Sequence, residues 1–480
     1  MKDAKTKHIS LVFTIVIFFI LLLPFICMSF AFTERLSGGT EPVQMPTIVN
    51  NDGKFNANYL SELGDYFEYH FAFRPQLVTA NSLIRNAIFH DSGTDQVICG
   101  NNGYMYYVDT LDDYFVKNKL EDFELKIIAE NLKATQDYLE SNGKNFCFLL
   151  APNKNSLYPQ YMPYNYIKGI DQNNFERLIP YLENNQVNYI NTFDIFNNES
   201  DCLYLKEDSH WNNKGASIVS NAIFEKFKKD KISNFSWINR QDRDGDLFIM
   251  EYPSIVGTEE ESYAEGFNDQ KALTGKNWNF IFGNSYEDTI SATKSNYLSK
   301  NNRNLYMFRD SFANALMPYL SSAYSKAVYS KLIPFDIQAA VNTESDDVLL
   351  ERAERNLSFL AYKAPIMPSK VIDYINISSA VYPDETYSAT IETSIDGDYF
   401  VISGMFDSEL TSLIKENDNV KIYVSVGSQN SNNLYSSLKY VNEEDGNFCF
   451  CSRIFKSSVD LSKILAKVFV ELNGVLYALN

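Results

Sequence analysis

The run Asn304-Leu305-Tyr306-Met307-Phe308-Arg309-Asp310-Ser311-Phe312-Ala313-Asn314-Ala315-Leu316-Met317 decides the fold. Its first five residues are a short apolar run of the kind that forms a buried strand, and Phe312, Leu316 and Leu320 recur at helical spacing. Ser311 therefore falls at a strand-to-helix turn. Such a turn presents a hydroxyl at the carboxyl end of a sheet strand, beside helix N-terminal amides that can hold an oxyanion. Capping of the helix by Asp310 or Ser311 accounts equally well for a polar residue at this place.

A second stretch, Glu207-Asp208-Ser209-His210-Trp211-Asn212-Asn213-Lys214-Gly215-Ala216, lies a hundred residues upstream and holds one of the four histidines. An Asp two residues before a His can bond one imidazole nitrogen and fix the tautomer, leaving the other nitrogen to take a proton from a nucleophile. The plain alternative is a hydrogen-bonded structural histidine, since an Asp-x-His pair also occurs by chance. Capping explains the serine turn alone but not a matching base elsewhere in the chain.

The surrounding pattern is α/β. Short apolar runs at 146–150, 187–190, 304–308, 327–330 and 347–350 alternate with helical patterns, which predicts a mostly parallel five-stranded sheet in a three-layer sandwich. Leu125, Ile128, Leu132 and Leu139 mark one helix that Asn142-Gly143 should end, and further helices are expected near 175–184 and 216–229. Gly100-Asn101-Asn102-Gly103 before Tyr104-Met105-Tyr106 reads as a hairpin. His210 and Ser311 are both expected after sheet strands, on the rim where open α/β sheets place their ligands, and Ala151-Pro152-Asn153-Lys154-Asn155-Ser156-Leu157-Tyr158-Pro159 is another loop of that rim.

With these blocks in place, the chain resembles the DHHW proteins of low-GC Gram-positive bacteria, relatives of the AlgJ/AlgX-type polysaccharide O-acetylation proteins of the SGNH hydrolase-like superfamily. The resemblance spans residues 55–360, roughly, and has the histidine block ahead of the serine block, as in that family. Asp208, His210 and Ser311 match the family's triad positions. The resemblance implies an SGNH-like fold and a serine-dependent O-acyltransferase or esterase. It also implies a multi-spanning membrane acyltransferase as the acetyl donor. Arg309 replaces the glycine of the family's Gly-Asp-Ser, which puts the shape of the oxyanion loop in question. The family's comparable Pro-x-Lys and Tyr-Pro loop makes Lys154 and Tyr158 candidate substrate contacts, and Trp211 and Arg309 join them; packing behind two prolines is the alternative for Tyr158. Glu351-Arg352-Ala353-Glu354-Arg355-Asn356 resembles a family Glu-Arg pair, for which a surface salt bridge is preferred over a substrate clamp. His70-Phe71-Ala72-Phe73-Arg74 resembles the family's Phe-Pro-Phe-Arg segment, and His70 is expected to be packed among aromatics. Ser285, in Phe282-Gly283-Asn284-Ser285, is a rival nucleophile, but polar residues rather than an amphipathic helix follow it.

Lys2, Lys5 and Lys7 precede an uncharged apolar run over residues 9–32, longer than the ~20 residues needed to cross a bilayer. The lysines on one side and Glu34 on the other favour a cytoplasmic tail at 1–8. An uncleaved single-pass anchor is expected at the cell membrane, then a linker at 33–54 and an extracellular catalytic domain at 55–365. A cleaved signal peptide is the runner-up, against which the apolar run exceeds the usual ~7–15 residues. From 366 to 480, β-like runs with Asp396-Gly397 and Asp445-Gly446 turns predict a separate β-sandwich, with glycan binding open by analogy with carbohydrate-binding modules.

The formal net charge of −19 and the lack of a basic stripe argue against a nucleic-acid partner. Cys99, Cys147, Cys202, Cys449 and Cys451 are scattered, which predicts unpaired thiols and no structural metal, and nothing reads as a coenzyme A site or calls for another cofactor. Two functions remain: an O-acetyltransferase or acetylesterase acting on cell-wall or exopolysaccharide hydroxyls, or a membrane-tethered glycan-binding or scaffold protein with a vestigial triad. Hydrogen-bond reach between Ser311, His210 and Asp208 separates them.

Overall fold

Strands long enough to be buried on both faces build the centre of the molecule. The computed structural model describes residues 2–28, 43–49, 53–267, 279–281, 289–293, 303–373, 375, 377–382, 387–417, 419–428, 431–459 and 465–479. Its main sheet contains β1 (Asn145–Ala151), β2 (Tyr189–Ile190), β3 (Asn279–Ile281), β4 (Thr289–Thr293), β5 (Asn304–Phe308), β6 (Lys326–Ser330) and β7 (Asp347–Ala353). The order across the sheet is β2-β1-β7-β5-β6-β4-β3. The first five in that order are parallel, as the sequence predicted. The antiparallel β4 and β3 extend the β6 edge; they come from the polar stretch after residue 240, where no strand was expected.

Four helices cover the two faces: α1 (Asp122–Ser141), α2 (Asn174–Asn184), α3 (Asn213–Lys226) and α4 (Ala313–Ala323). Side chains alternate across a strand. Phe146, Phe148 and Leu150 of β1 accordingly join Leu125 and Ile128 of α1 and Leu178 and Leu182 of α2 in one core. Cys147 and Leu149 meet Val219 and Ile223 of α3 and Leu316 and Leu320 of α4 in the other. All seven residues of β7 are buried, as a central parallel strand requires. Reciprocal hydrogen bonds of Glu121 and Glu124 start α1, and Gly143, at φ +73°, follows its end.

The C-terminal region consists of two antiparallel sheets, of five and four strands. Val424 and Val468 of the first face Ile402 and Phe450 of the second in one core. Ile127 of α1 lies in that same core, while Ile128 faces the α/β core. Asn131 Nδ2 donates to Lys439 O at 2.7 Å, and Glu130 pairs with Lys439. One helix thus serves two cores. At the other end, Ser10–Met28 lies in a helix long and apolar enough to cross a membrane; the remainder of the apolar run, 29–32, lies outside the described residues.

Because Ile127 plugs the C-terminal core from a helix rooted in the α/β domain, Ile127→Ala should destabilise the molecule by about 2–4 kcal/mol. It should also split a joint calorimetric transition in two, with the C-terminal sheets melting first. An unchanged single transition would show that the helix does not couple them.

Candidate active site

Ser311 stands where β5 gives way to α4, and its neighbours are held from beneath. Arg309 N donates to Ser330 O at 2.8 Å. Asp310 N donates to Glu351 Oε2 at 2.9 Å, while Asp310 Oδ1 accepts from Phe312 N at 3.0 Å and Oδ2 from Ala353 N at 2.6 Å. Asp310 therefore braces the turn ahead of α4, whose cap residue is Phe312 with no side-chain cap, and ties it to β7. Burial, reinforced by the adjacent Asp310, pushes the Glu351 carboxyl well above the ordinary range. Asp310 is itself held low: burial opposes this, but the Glu351 hydrogen bond and the Arg352 and Arg355 charges outweigh it. The two carboxyls of this buried pair are thus shifted in opposite directions, Glu351 up and Asp310 down.

The histidine loop is built on the neighbouring part of the rim. Asn212 N donates to Leu203 O at 2.8 Å, closing the loop, and the Asn212 side chain caps α3 through Gly215 N. Lys154 lies beneath it, with Nζ donating to the carbonyls of Leu205, Lys206 and Asp208 at 2.9, 2.8 and 2.7 Å. Burial lowers its pKa to about 8.

On this frame His210 Nε2 lies 2.8 Å from Ser311 Oγ and Nδ1 lies 2.7 Å from Asp208 Oδ1. The second carboxylate oxygen of Asp208 accepts from Arg243 Nε at 3.2 Å and also meets Arg243 Nη2. Burial alone would raise the Asp208 pKa, but bonding to His210 and Arg243 holds it well below the ordinary range. The imidazole pKa is raised: burial opposes the change, and the Asp208 carboxylate, aided by Asp246, prevails.

Asp246 was not singled out in the sequence. Its Oδ1 accepts from Ser209 N at 2.7 Å and its Oδ2 from Ser209 Oγ at 2.5 Å, and Oδ2 lies 3.4 Å from His210 Nδ1. This approach requires Gly245, where an added Cβ would lie 2.2 Å from Glu207 O. Asp208, His210 and Asp246 have ligand-type atoms within 4.8 Å of one another. Both Asp208 oxygens are nevertheless engaged, one by the imidazole and one by the Arg243 guanidinium, and both Asp246 oxygens accept from Ser209, so each carboxylate of this set already has protein donors.

Ser311 and His210 border a cavity of about 720 Å³ that Tyr107, Tyr263, Asn314 and Arg355 also line. Arg309 Nη1 donates to Asn314 Oδ1 at 2.8 Å, leaving the amide NH2 of Asn314 for the cavity. Among the described residues no acceptor takes the Ser311 N–H. These two groups give the turn the donors that an oxyanion requires.

The structure thus brings Asp208, His210 and Ser311 together and separates them from three expected substrate contacts. Lys154 and Arg309 are buried, 3% and 2% exposed, with their polar groups turned to the loop carbonyls and to Asn314. Tyr158 accepts from Leu203 N at 3.0 Å, behind the loop. None of the three lines the cavity. Trp211 borders it but is 1% exposed and packs edge-on against Phe312, 5.0 Å between ring centres. Glu351 and Arg352 are buried rather than joined in a surface salt bridge; Arg355 instead reaches the cavity, over the rings of Phe312 and Tyr107. His210 does not follow a sheet strand directly, because the helix Thr192–Asn197 and a loop intervene after β2. His70 is packed, bonded to Tyr66 O at 2.9 Å and against the Tyr66 ring. Ser285 lies outside the described residues.

The fold and this rim define an SGNH hydrolase-like α/β domain. Residues 97–247 match the family model described as the SGNH hydrolase-like domain of acetyltransferase AlgX, a match that agrees with the resemblance read from the sequence and contains the histidine block but ends before Ser311. Similar solved structures include Bacillus cereus PatB1, at 15% identity and TM-score 0.42, covering 55% of this chain and 99% of that one. A DHHW family protein from Eubacterium siraeum has 15% identity and TM-score 0.37, with 49% and 86% covered. Pseudomonas aeruginosa AlgX has 11% identity and TM-score 0.34, with 78% and 90% covered. No curated protein matches the chain.

Replacing Lys154 by Met would leave the Leu205 and Asp208 carbonyls without their donor and remove one of two donors from Lys206 O, which also accepts from Met105 N at 2.8 Å. At about 1–3 kcal/mol for each unsatisfied group, partly relieved by relaxation, a loss of several kcal/mol is expected. Thermal denaturation should show a marked drop in Tm. A raised KM at unchanged Tm would instead make Lys154 a substrate contact.

Proposed function

We propose that the protein is a serine-dependent O-acyltransferase, with esterase activity toward water, acting on hydroxyls of a cell-wall or extracellular polysaccharide. The observation that carries this reading is the unbroken hydrogen-bonded series from Asp208 through His210 to Ser311 at the wall of a cavity. Ser311 Oγ attacks the acyl carbonyl as His210 Nε2 takes its proton, and the Ser311 N–H and Asn314 amide stabilise the oxyanion. The imidazolium then protonates the departing alcohol, leaving a serine ester. An acceptor hydroxyl, deprotonated by the same imidazole, attacks that ester and regenerates Ser311. Asp208 keeps Nδ1 protonated and stabilises the imidazolium, and Arg243 fixes the carboxylate.

The acetyl group and polysaccharide come from the family resemblance, as does the multi-spanning acyltransferase expected to supply the donor. The apolar helix at Ser10–Met28 supports a single-pass anchor with the folded body outside the membrane. The hydrogen-bonded series favours catalysis over a vestigial site.

Ser311→Ala and His210→Ala should abolish turnover of p-nitrophenyl acetate, and Asp208→Asn should lower it by about 10⁴-fold. Asn314→Ala should cost about 10²–10³-fold with the fold intact. The base must be neutral, so kcat/KM should rise with pH through an inflection above the usual ~6.5 of histidine. Asp208→Asn removes the anion that favours imidazolium and should move that inflection down. Mass spectrometry should find the trapped acyl group on Ser311; an adduct on another residue, or full turnover by Ser311→Ala, would end the proposal.

A further inference from the structure

The helix Arg74–Phe89 faces the wrong way for a water-exposed surface. Its buried residues are the polar Thr79 and Ser82. Thr79 Oγ1 accepts from Ser254 N at 3.0 Å, so the polar face is the one bonded to the body. Leu77, Leu83, Ile84, Ile88 and Phe89 are 50–68% exposed. At 100° per residue, Leu77, Ile84 and Ile88 form one stripe, with Thr79, Ser82 and Asn86 opposite; Leu83 and Phe89, though exposed, lie about 120° to either side of the stripe. A half-turn of the helix would bury the apolar stripe against the body and free the hydroxyls for water. The fold keeps it outward.

We infer that this outward stripe rests in the surface of a lipid bilayer, holding the body against the membrane that Ser10–Met28 crosses. The inference rests on the anchor reading given above. The occupant follows from chain continuity and from charge. The helix Tyr59–His70, which precedes the stripe, begins about thirty residues after Met28, so any bilayer holding the span lies within the chain's reach. Exposed large apolar side chains are most numerous just there, with Phe55, Leu60 and Phe67 adding to those of Arg74–Phe89; elsewhere in the body they form one smaller group, Tyr164, Ile167 and Ile170, and are otherwise scattered. The helix itself carries Arg74 and Arg85 and no carboxylate, in a chain of net charge −19. Both arginines lie on one side of the stripe and pair with carboxylates off the helix, Glu68 and Asp91, so the stripe has guanidinium groups beside it and no unpaired charge of either sign on its own helix. Apolar side chains outward with arginine beside them are the composition of a helix lying in the membrane interface. By wedging into the headgroup layer, the stripe would fix the height and tilt of the body above the membrane.

The full chain in phosphatidylcholine–phosphatidylglycerol proteoliposomes provides the test. A nitroxide at Ile84→Cys is compared with one at Tyr164→Cys, an exposed position far along the chain, after subtraction of the signal from native cysteines. In the lipid surface, the Ile84 label should show a several-fold higher ratio of oxygen to nickel-complex collision than the Tyr164 label. Equal, water-like ratios would overturn the inference, as would a label shielded from both reagents, which would mean a protein partner or a second copy on the stripe. Alkaline carbonate washing of the same vesicles tests the anchor separately: loss of the chain from the vesicles refutes the anchor, whereas a retained chain with a water-like label refutes only the docking.

Discussion

Beneath the rim, one buried ammonium holds two parts of the chain in register. Lys154 uses all three of its N–H donors on the carbonyls of Leu205, Lys206 and Asp208. It sits just after β1, so the sheet's own geometry is transmitted through it to the loop that carries His210. Without that link the carbonyls of Leu205 and Asp208 would lose their donor, and only Lys206 O would keep one, from Met105 N at 2.8 Å. The low pKa of the group records the same compromise: burial disfavours the charge, while the surrounding carboxylates of Asp208, Asp246 and Glu259 favour it. The distance of 2.8 Å between imidazole and serine depends on strand order, because Ser311 follows β5, and β7 alone separates β5 from β1.

Two acid systems then flank the reacting atoms, and their carboxyls are shifted in opposite directions. Asp208 is fully ionised because it has imidazole on one oxygen and guanidinium on the other. The Glu351 carboxyl is pushed up by burial and by the adjacent Asp310, a carboxylate that accepts from two backbone N–H groups. Both are buried, so burial alone does not set the direction; the partners do. The first system makes His210 a stronger base. The second fixes the turn that carries Ser311, through Asp310 N on Glu351 and Ala353 N on Asp310.

Much of this was legible in the residues. Apolar runs of strand length bounded by helical spacing gave all five parallel strands, and Asn142-Gly143 marked the end of α1, because buried parallel strands and glycine stops leave strong local signals. Asp208, His210 and Ser311 were legible because an acid and base share a three-residue motif and the serine sits at a strand-to-helix boundary. Asp246, Arg243 and Asn314 were not. Arg243 and Asp246 come from the polar segment after residue 240, whose spacing says nothing about its return to the histidine loop; only Gly245, needed for close backbone approach, hinted at it, and only in retrospect. Lys154 was recognised as a rim residue but assigned the wrong direction. A lysine in a loop at a strand's carboxyl end is compatible with either substrate or backbone partners, and only the three carbonyls decide.

The arginine before Asp310 poses the sharpest local conflict, since glycine at that place would let the turn close without a side chain to accommodate. The chain resolves it by turning Arg309 under the turn, where its guanidinium reaches Asp310 O at 3.2 Å and Asn314 Oδ1 at 2.8 Å. A glycine would leave both acceptors to other partners and leave the Asn314 amide free to rotate. Arg309 takes the oxygen end of that amide and thereby selects its NH2 end for the cavity. The residue that departs from the family pattern is therefore compatible with an oxyanion site, and it contributes to one by orienting a donor in place of shortening a loop. Both bonds come from Nη1, whose two N–H groups have fixed directions in the guanidinium plane, so a lysine at 309, whose ammonium rotates freely, would define this geometry less tightly.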